Sequence, residues 1–143
     1  MLELDTNQLN ALMQAVLERA THHLDTLGEQ PASVTDPIRG SELASKLRER
    51  APEGPTSAET LLKTLFEEAI PCSYNTASPG YMAYVPGGGL PHSAIADFIS
   101  DITNRYVGIW PAAPGLVQIE TNVIRWFCDM VDYPDDALGF LTT

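Results

Sequence analysis

Residues 78–91, SPGYMAYVPGGGLP, and residues 104–115, NRYVGIWPAAPG, decide how this chain is interpreted. Both stretches combine aromatic residues with proline and glycine, and each leads into a segment whose apolar residues recur with helical spacing. Loops that present aromatic side chains beside glycines are typical recognition surfaces. The sequence therefore predicts that these two loops carry the binding function and that helices support them.

The apolar spacing outside the loops predicts a mainly helical chain. The expected helices span residues 6–27, 41–50, 56–70, 91–104 and 114–131. Asp5 or Thr6 is expected to cap the first helix, and Thr56 with Glu59 to form a capping box at the third. The last helix has too many apolar residues for one narrow stripe, so we expect it to be covered on more than one side.

The segments between the helices are expected to be irregular. Residues 30–40 contain two prolines and are predicted to be a connector, and YPDD at 133–136 is predicted to be a turn. MAYV at 82–85 is the candidate for a short extended piece, and Ala137 to Thr143 is predicted to be the start of a strand.

Length and charge limit the classes of function. With 143 residues the chain is expected to be one domain or a piece of one. A net charge of −11 argues against nucleic acid as a partner, because phosphates require a basic surface. The sequence shows no apolar run that could span a membrane and no secretory signal, so we expect no membrane contact and a cytoplasmic location. Cys72 and Cys128 are expected to be reduced and buried.

The residues themselves do not predict a complete catalytic centre. The triplet at 87–89 is interpreted as a turn, with an anion-binding nest as the alternative. His22 and His23 are adjacent on a helix and have no cysteine or carboxylate cluster nearby, so no metal site is predicted. Arg105 is expected to form an internal ion pair, for example with Glu120, and the alternative is a pairing with an acid group of the substrate. No catalytic residue is assigned.

A family resemblance nevertheless covers residues from about Pro55 to the end of the chain. The motifs SPGYMAYVPGGGLP, ADF at 96–98, NRYVGIWPAAPG and the helix within QIETNVIRWFCDMVDYP, in this order, resemble the N-terminal part of the group II amino-acid decarboxylases of the aromatic-L-amino-acid decarboxylase type. These enzymes depend on pyridoxal 5'-phosphate (PLP). The resemblance implies an N-terminal helical flap, swapped in the dimer, at residues 1–71 and the first helices of a type I PLP-dependent transferase-like α/β large domain at 72–143.

The resemblance also implies roles for single residues. Tyr84 and Pro86 match positions that line the substrate pocket, and Tyr106 and Trp110 match an aromatic loop that the neighbouring subunit contributes to that pocket. The partners implied are an amino-acid substrate and either a second copy of the chain or a complementing C-terminal PLP domain. Val85, the glycine triplet and Gly108 depart from the aromatic-amino-acid enzymes, so the resemblance does not specify the substrate.

The cofactor machinery of the family is expected to lie beyond Thr143. The resemblance implies a Schiff-base lysine, an aspartate at the pyridine nitrogen, a stacked histidine and a phosphate loop, and none of these matches a position here. Lys46 and Lys63 lack the motif of the Schiff-base lysine. We therefore expect the chain alone to bind no PLP stably and to be inactive, as a fragment of a decarboxylase. The alternative is a stand-alone helical dimerisation or interaction module descended from such an enzyme.

Overall fold

The computed structural model describes residues 4–33 and 36–142, without the side chain of Pro37. This part of the chain is helical and contains no β-strand. The α-helices are α1 (Thr6–Thr26), α2 (Pro37–Lys46), α3 (Ala58–Lys63), α4 (Pro91–Thr103) and α5 (Pro114–Met130). A mainly helical structure is therefore confirmed. None of the described helices is both long and apolar enough to cross a bilayer.

The chain divides into two compact units, Met1–Gly88 and Gly89–Thr143. The first unit contains α1, α2 and α3, and the second contains α4 and α5. The boundary at residue 71, which the resemblance implies between the helical flap and the large domain, stays a prediction.

The start of α1 shows why this helix could be predicted well. Asp5 Oδ1 accepts a hydrogen bond from Gln8 N at 2.8 Å, and Gln8 Oε1 accepts one from Asp5 N at 3.1 Å. This reciprocal pair satisfies backbone donors that the first turn of a helix leaves free. Asp5 is thus the N-cap, and the helix ends one residue before the predicted limit.

The second helix begins earlier than its apolar spacing predicts. Asp36 accepts a hydrogen bond from Ile38 N at 2.9 Å and caps α2, while Pro37 occupies the first helical position, where a missing N–H costs nothing. The prediction of a connector throughout 30–40 and a helix at 41–50 is therefore wrong. The Asp-Pro pair is the start signal, and the helix ends at Lys46.

The third helix begins near the predicted place, but its cap is different. Ser57 Oγ accepts from Thr60 N at 3.1 Å, so the predicted capping box of Thr56 and Glu59 is wrong by one residue. Beyond Lys63 the helical path widens into a π-helical turn, Thr64–Ala69, and then tightens into a 3₁₀ turn, Ile70–Cys72. The chain therefore stays helical past the predicted end at Ile70.

In the second unit, α4 and α5 match the predicted helices. Asn104 ends α4 in the left-handed conformation, with φ of 43°, which asparagine tolerates better than most residues. Arg125 ties the end of α5 to the following turn by donating to the carbonyls of Pro134 and Asp135, both at 3.0 Å, and to Asp129 at 2.7 Å. The hydrogen bond to Asp129 raises the pKa of Arg125 above its usual value, so this clamp is fully charged at neutral pH.

Both extended segments that the sequence predicts are wrong. Residues 82–85 contain a bend instead of extended chain, and residues 137–142 form no strand; Thr143 lies outside the described residues. A strand needs a neighbouring strand to satisfy its backbone groups, and the described part of the chain offers none.

The described residues contain no buried apolar side chain. Ser78, at 9% exposure, is the single residue among them that is buried. The large apolar residues of α4, Ile95, Phe98, Ile99 and Ile102, are exposed. On α5 the exposed set includes Leu116, Ile119, Trp126, Phe127 and Met130. The cover that the sequence predicts for α5 is therefore not supplied within its own unit.

The accessible area gives the size of this deficit. The chain exposes 12331 Å² at a mass of 15.6 kDa. A compact monomer of this mass is expected to expose about 7,300 Å², and two separately compact units of these sizes about 8,700 Å² together. With either reference, the chain exposes at least about 3,000 Å² more surface than expected. This excess is as large as the area that a large obligate interface buries.

The two candidate caps of α3 can be distinguished by substitution. We expect Ser57→Ala to lower the free energy of unfolding by about 1 kcal/mol, because the Thr60 amide loses its acceptor. Thr56→Ala is the matched control and should change that free energy by less than about 0.5 kcal/mol. Urea unfolding followed by far-UV circular dichroism measures both. A larger loss for Thr56→Ala than for Ser57→Ala would contradict the assigned cap.

Candidate functional site

The first aromatic loop belongs to unit 1 and has a fixed base. Asn75 donates from its side-chain amide to Leu27 O at 2.8 Å and from its backbone to Ala32 O at 2.9 Å. Its own Oδ1 accepts from Ala77 N at 3.0 Å. These bonds attach the start of the loop to the chain that follows α1. Asn75 therefore positions the loop, although the motifs of the sequence did not single it out.

A second set of bonds continues this base toward the tip of the loop. Ser78 N donates to Asn75 O at 3.2 Å, and Tyr81 N donates to Ser78 O at 2.9 Å. The rings of Tyr74 and Tyr81 contact each other with centroids 6.3 Å apart and planes tilted by 56°. The segment from Asn75 to Tyr81 is thus a compact stem that contains the one buried residue of the described chain.

The tip of the loop is exposed. Val85 is 100% exposed and Tyr84 is 84% exposed, and Pro86 lies next to them on the surface. Tyr84 has φ of 59°, in the left-handed region that a bulky residue adopts only at a cost. Strained residues of this kind are enriched at binding and catalytic sites. The strain therefore marks the same residue that the resemblance assigns to the substrate pocket.

The glycine triplet does not form the anion nest that the sequence left open. An anion nest alternates right- and left-handed residues, and no glycine of the described chain has a positive φ. A β-carbon added at Gly87, Gly88 or Gly89 would meet nothing within 4 Å. The change of chain direction falls on Tyr84 instead.

The second aromatic loop belongs to unit 2 and carries Tyr106 and Trp110, both of which are exposed. Trp110 opens a 3₁₀ turn, Trp110–Ala112, in which Ala112 N donates to Ile109 O at 3.1 Å. Val117 N then donates to Ala113 O at 3.0 Å and starts α5 directly after the turn. The position of Trp110 is therefore fixed by a short turn that is continuous with a long helix.

Tyr106 folds back over its own loop. A β-carbon added at Gly108 would lie 2.5 Å from Tyr106 Cζ, so the ring occupies the space that a side chain at 108 would need. Gly108 is thus the residue that permits this ring position.

Several candidate groups of the sequence have no catalytic geometry. Glu120 Oε1 accepts from Leu141 N at 3.0 Å, so it holds the chain after α5, and Arg105 makes no ion pair among the described residues. The predicted pairing of these two residues is therefore wrong.

Cys72 and Cys128 are free and half-buried, less buried than predicted. In the described ranges no three His, Cys, Asp or Glu side chains are grouped as a metal site requires.

Lys46 and Lys63 are the two lysines that a PLP cofactor could use. Lys46 pairs with Glu68 and lines a groove of about 360 Å³ with Arg39 and the carboxylates of Glu42, Glu67 and Glu68. Lys63 Nζ lies 4.0 Å from Glu67 Oε2, and both side chains are exposed. A phosphate group would be repelled by these carboxylates, and a Schiff-base lysine requires a pocket that encloses the cofactor ring. The surroundings of these two lysines do not fit PLP.

Comparison with known proteins places this geometry in a family context. No family model matches the chain. It is 28% identical over 142 residues to an aromatic-L-amino-acid decarboxylase of Bacillus atrophaeus, which covers 99% of this chain and 29% of the relative. It is 30% identical over 105 residues to tyrosine/DOPA decarboxylase 2 of Papaver somniferum, which covers 73% of this chain and 20% of the relative.

The chain is a group II decarboxylase-like N-terminal region. It spans less than a third of the length of these curated relatives. A solved structure, Oryza sativa TDC with PLP, superposes on 94% of this decarboxylase-like region and 28% of that protein, with a TM-score of 0.78 and 18% identity. At this identity the similarity shows the fold alone, which is that of the N-terminal helical part of a type I PLP-dependent transferase-like enzyme.

The backbone strain at Tyr84 can be tested directly in the decarboxylase-like region. We expect Tyr84→Gly to raise the free energy of unfolding by about 1 kcal/mol, because glycine adopts a φ of 59° without steric cost.

Val85→Gly is the matched control at a neighbouring exposed position without a positive φ. It should lower the free energy of unfolding by about 0.5–1 kcal/mol, because glycine raises the conformational entropy of the unfolded chain and relieves no strain at this position. Urea unfolding of both variants gives the comparison. If Tyr84→Gly destabilised as much as Val85→Gly, the left-handed conformation at Tyr84 would be contradicted.

Proposed function

We propose that this chain is the N-terminal portion of a PLP-dependent enzyme that removes the α-carboxylate of an amino acid. The observation that carries the proposal is the match of nearly the whole chain to under a third of an aromatic-L-amino-acid decarboxylase. Because the matched share of this chain is 99% and that of the relative is 29%, the chain corresponds to one part of a longer catalytic assembly.

In this proposal the chain supplies walls of the substrate pocket. Tyr84 and Pro86 lie at the exposed tip of the first loop, and Tyr106 and Trp110 lie on the second loop with exposed rings. Aromatic faces bind an apolar substrate side chain, exclude water from it, and offer a phenol or indole group for one hydrogen bond. These four residues are the ones we assign to substrate binding, and we assign no catalytic residue to the chain.

The cofactor belongs to another part of the assembly. When bound, PLP supplies the electron sink that decarboxylation requires. Lys46 and Lys63 are each placed beside carboxylates, so this chain offers no fitting holder for it among the described lysines. We therefore propose that the chain alone is inactive and that the cofactor is held by a C-terminal PLP domain, either on the same polypeptide or on a complementing one.

The uncovered apolar side chains support a close partner. The face of α5 that includes Ile119, Trp126 and Met130 is exposed, as are Ile95 and Phe98 of α4. Burying such side chains stabilises an assembly by about 1.5–3 kcal/mol each, so they are unfavourable on a free surface. We propose that the complete protein, with its PLP domain, forms a homodimer in the cytoplasm. The second copy then covers these apolar side chains.

The proposal is tested by reconstitution. The chain alone, supplied with PLP and L-tyrosine, L-tryptophan or L-DOPA, should release no carbon dioxide. The same chain expressed with the polypeptide encoded downstream of codon 143 should release it. Borohydride reduction of the chain alone should leave no stoichiometric cofactor on Lys46 or Lys63, and the Lys46→Arg and Lys63→Arg variants are the controls for the assignment of any trapped label.

Two results would count against the proposal. Carbon dioxide release by the chain alone would show that the catalytic groups are within it. Stoichiometric trapping on a single lysine would show that the lysine assignment is wrong. A stop codon after residue 143 with no complementing polypeptide would favour the stand-alone dimerisation or interaction module instead.

A further inference from the structure

A cavity of about 750 Å³ lies within unit 1 and extends to Asn75 at the base of the first aromatic loop. It is lined by the C-terminal half of α1, the turn after it, Arg39 of α2 and the segment from Phe66 to Asn75. Its volume is in the range of about 300–1,000 Å³ that small-molecule sites occupy. None of the residues assigned to the substrate lines it, so the cavity requires a separate explanation.

The balance of charged residues in the cavity differs from that of the chain. The chain has 19 acidic and 8 basic residues, whereas the cavity lining contains two arginines, Arg19 and Arg39, against one carboxylate, Glu67, together with the imidazoles of His22 and His23. Basic groups gathered in a concave surface attract anions more strongly than the same groups on an open surface. The lining is therefore suited to a negatively charged ligand.

Arg39 is the charge with the least internal compensation. Arg19 donates to Glu59 Oε1 at 2.5 Å and to Ala15 O at 3.0 Å, so its guanidinium is already engaged. Arg39 makes no ion pair among the described residues, although Glu42 and Glu68 line the neighbouring groove with it. A guanidinium without a carboxylate partner is the preferred bidentate donor to phosphate and carboxylate groups.

A polar network at the end of α1 adds a further donor. Gln30 Nε2 donates to Thr26 Oγ1 at 3.0 Å and lies 3.4 Å from His23 Nδ1. Every form of an imidazole carries at least one N–H, which is the donor that His23 offers. His22 follows the same helix and also lines the cavity.

The rest of the lining is apolar. Phe66 and Ile70 come from the helical segment after α3, and Pro31 and Pro71 complete this part of the wall. Phe66 belongs to the π-helical turn Thr64–Ala69, and π-helical turns inside helices are frequent at functional sites. A ligand with an apolar ring would contact this wall while its charged group contacts the basic side.

We propose that this cavity binds a small organic anion that carries a ring, with Arg39 and the imidazoles of His22 and His23 contacting the charged group and Phe66 and Ile70 contacting the ring. Aryl phosphates and aryl carboxylates share this chemistry. The proposed contacts include none of the four residues assigned to the substrate, so this binding can be measured separately from the proposed decarboxylation.

Calorimetric titration of the full chain, purified with any partner that accompanies it, tests the site with phenyl phosphate. Benzoate tests the carboxylate, inorganic phosphate tests the anion without a ring, and phenol tests the ring without a charge. We expect saturable binding of phenyl phosphate or benzoate at one site per chain, and at least about tenfold weaker binding of inorganic phosphate and phenol. Raising the ionic strength should weaken the binding of both ring anions.

Arg39→Gln should weaken binding of the ring anions by at least about tenfold, because a charge-assisted hydrogen bond is lost. Arg48→Gln is the matched control, since Arg48 is exposed and does not line the cavity, and it should leave binding unchanged. His22→Asn should also weaken binding, with His92→Asn as its control. Each pair is compared at equal helix content by circular dichroism.

The proposal is overturned if the unmodified chain shows no saturable binding of either ring anion. It is also overturned if phenol binds as tightly as phenyl phosphate, since the basic side of the cavity would then contribute nothing. An equal loss of affinity in Arg39→Gln and Arg48→Gln would mean that the anions respond only to net charge, and this result contradicts the site as well.

Discussion

The burial of apolar surface is the constraint on which the rest of this structure depends. Helices α4 and α5 each begin at a proline and are regular, yet the apolar residues between Ile95 and Met130 are not buried within their own unit. Helical backbone hydrogen bonds alone contribute too little to hold helices of this length, which in proteins are stabilised mainly by packing of an apolar face. The exposed faces of these helices are therefore the surfaces that the proposed partner would cover.

The two loops show the same division between fixed and incomplete parts. Asn75 and Ser78 build a hydrogen-bonded stem below the first loop, and the 3₁₀ turn at Trp110 leads directly into α5 below the second. Above these supports, Tyr84 and Tyr106 present exposed rings, one on a strained backbone and one folded over Gly108. The substrate pocket proposed for these loops requires aromatic side chains on a rigidly held backbone, and both loops have this arrangement.

Local signals in the sequence predicted most of the helices, because each depends on a cap or a proline at a defined position. Asp5 with Gln8, Pro91 and Pro114 fixed the starts of three helices within a residue. The errors arose where two local signals compete, as with Thr56 and Ser57, or where the backbone departs from one regular period, as in Thr64–Ala69. The cavity of unit 1 is lined by segments distant in sequence, so no local pattern could predict it, and nothing in the described contacts explains the positive φ of Tyr84.

Hydrogen exchange of the α5 amides tests the central claim that another polypeptide surface covers the exposed face of this helix. In the isolated chain the amides of Pro114–Met130 should exchange within about a hundredfold of the unprotected rate, because an uncovered helix opens at little cost in free energy. In the assembled enzyme the same amides should be among the slowest to exchange. If the isolated chain is monomeric and its α5 amides exchange only through global unfolding, the helix already has its cover and the claim is contradicted.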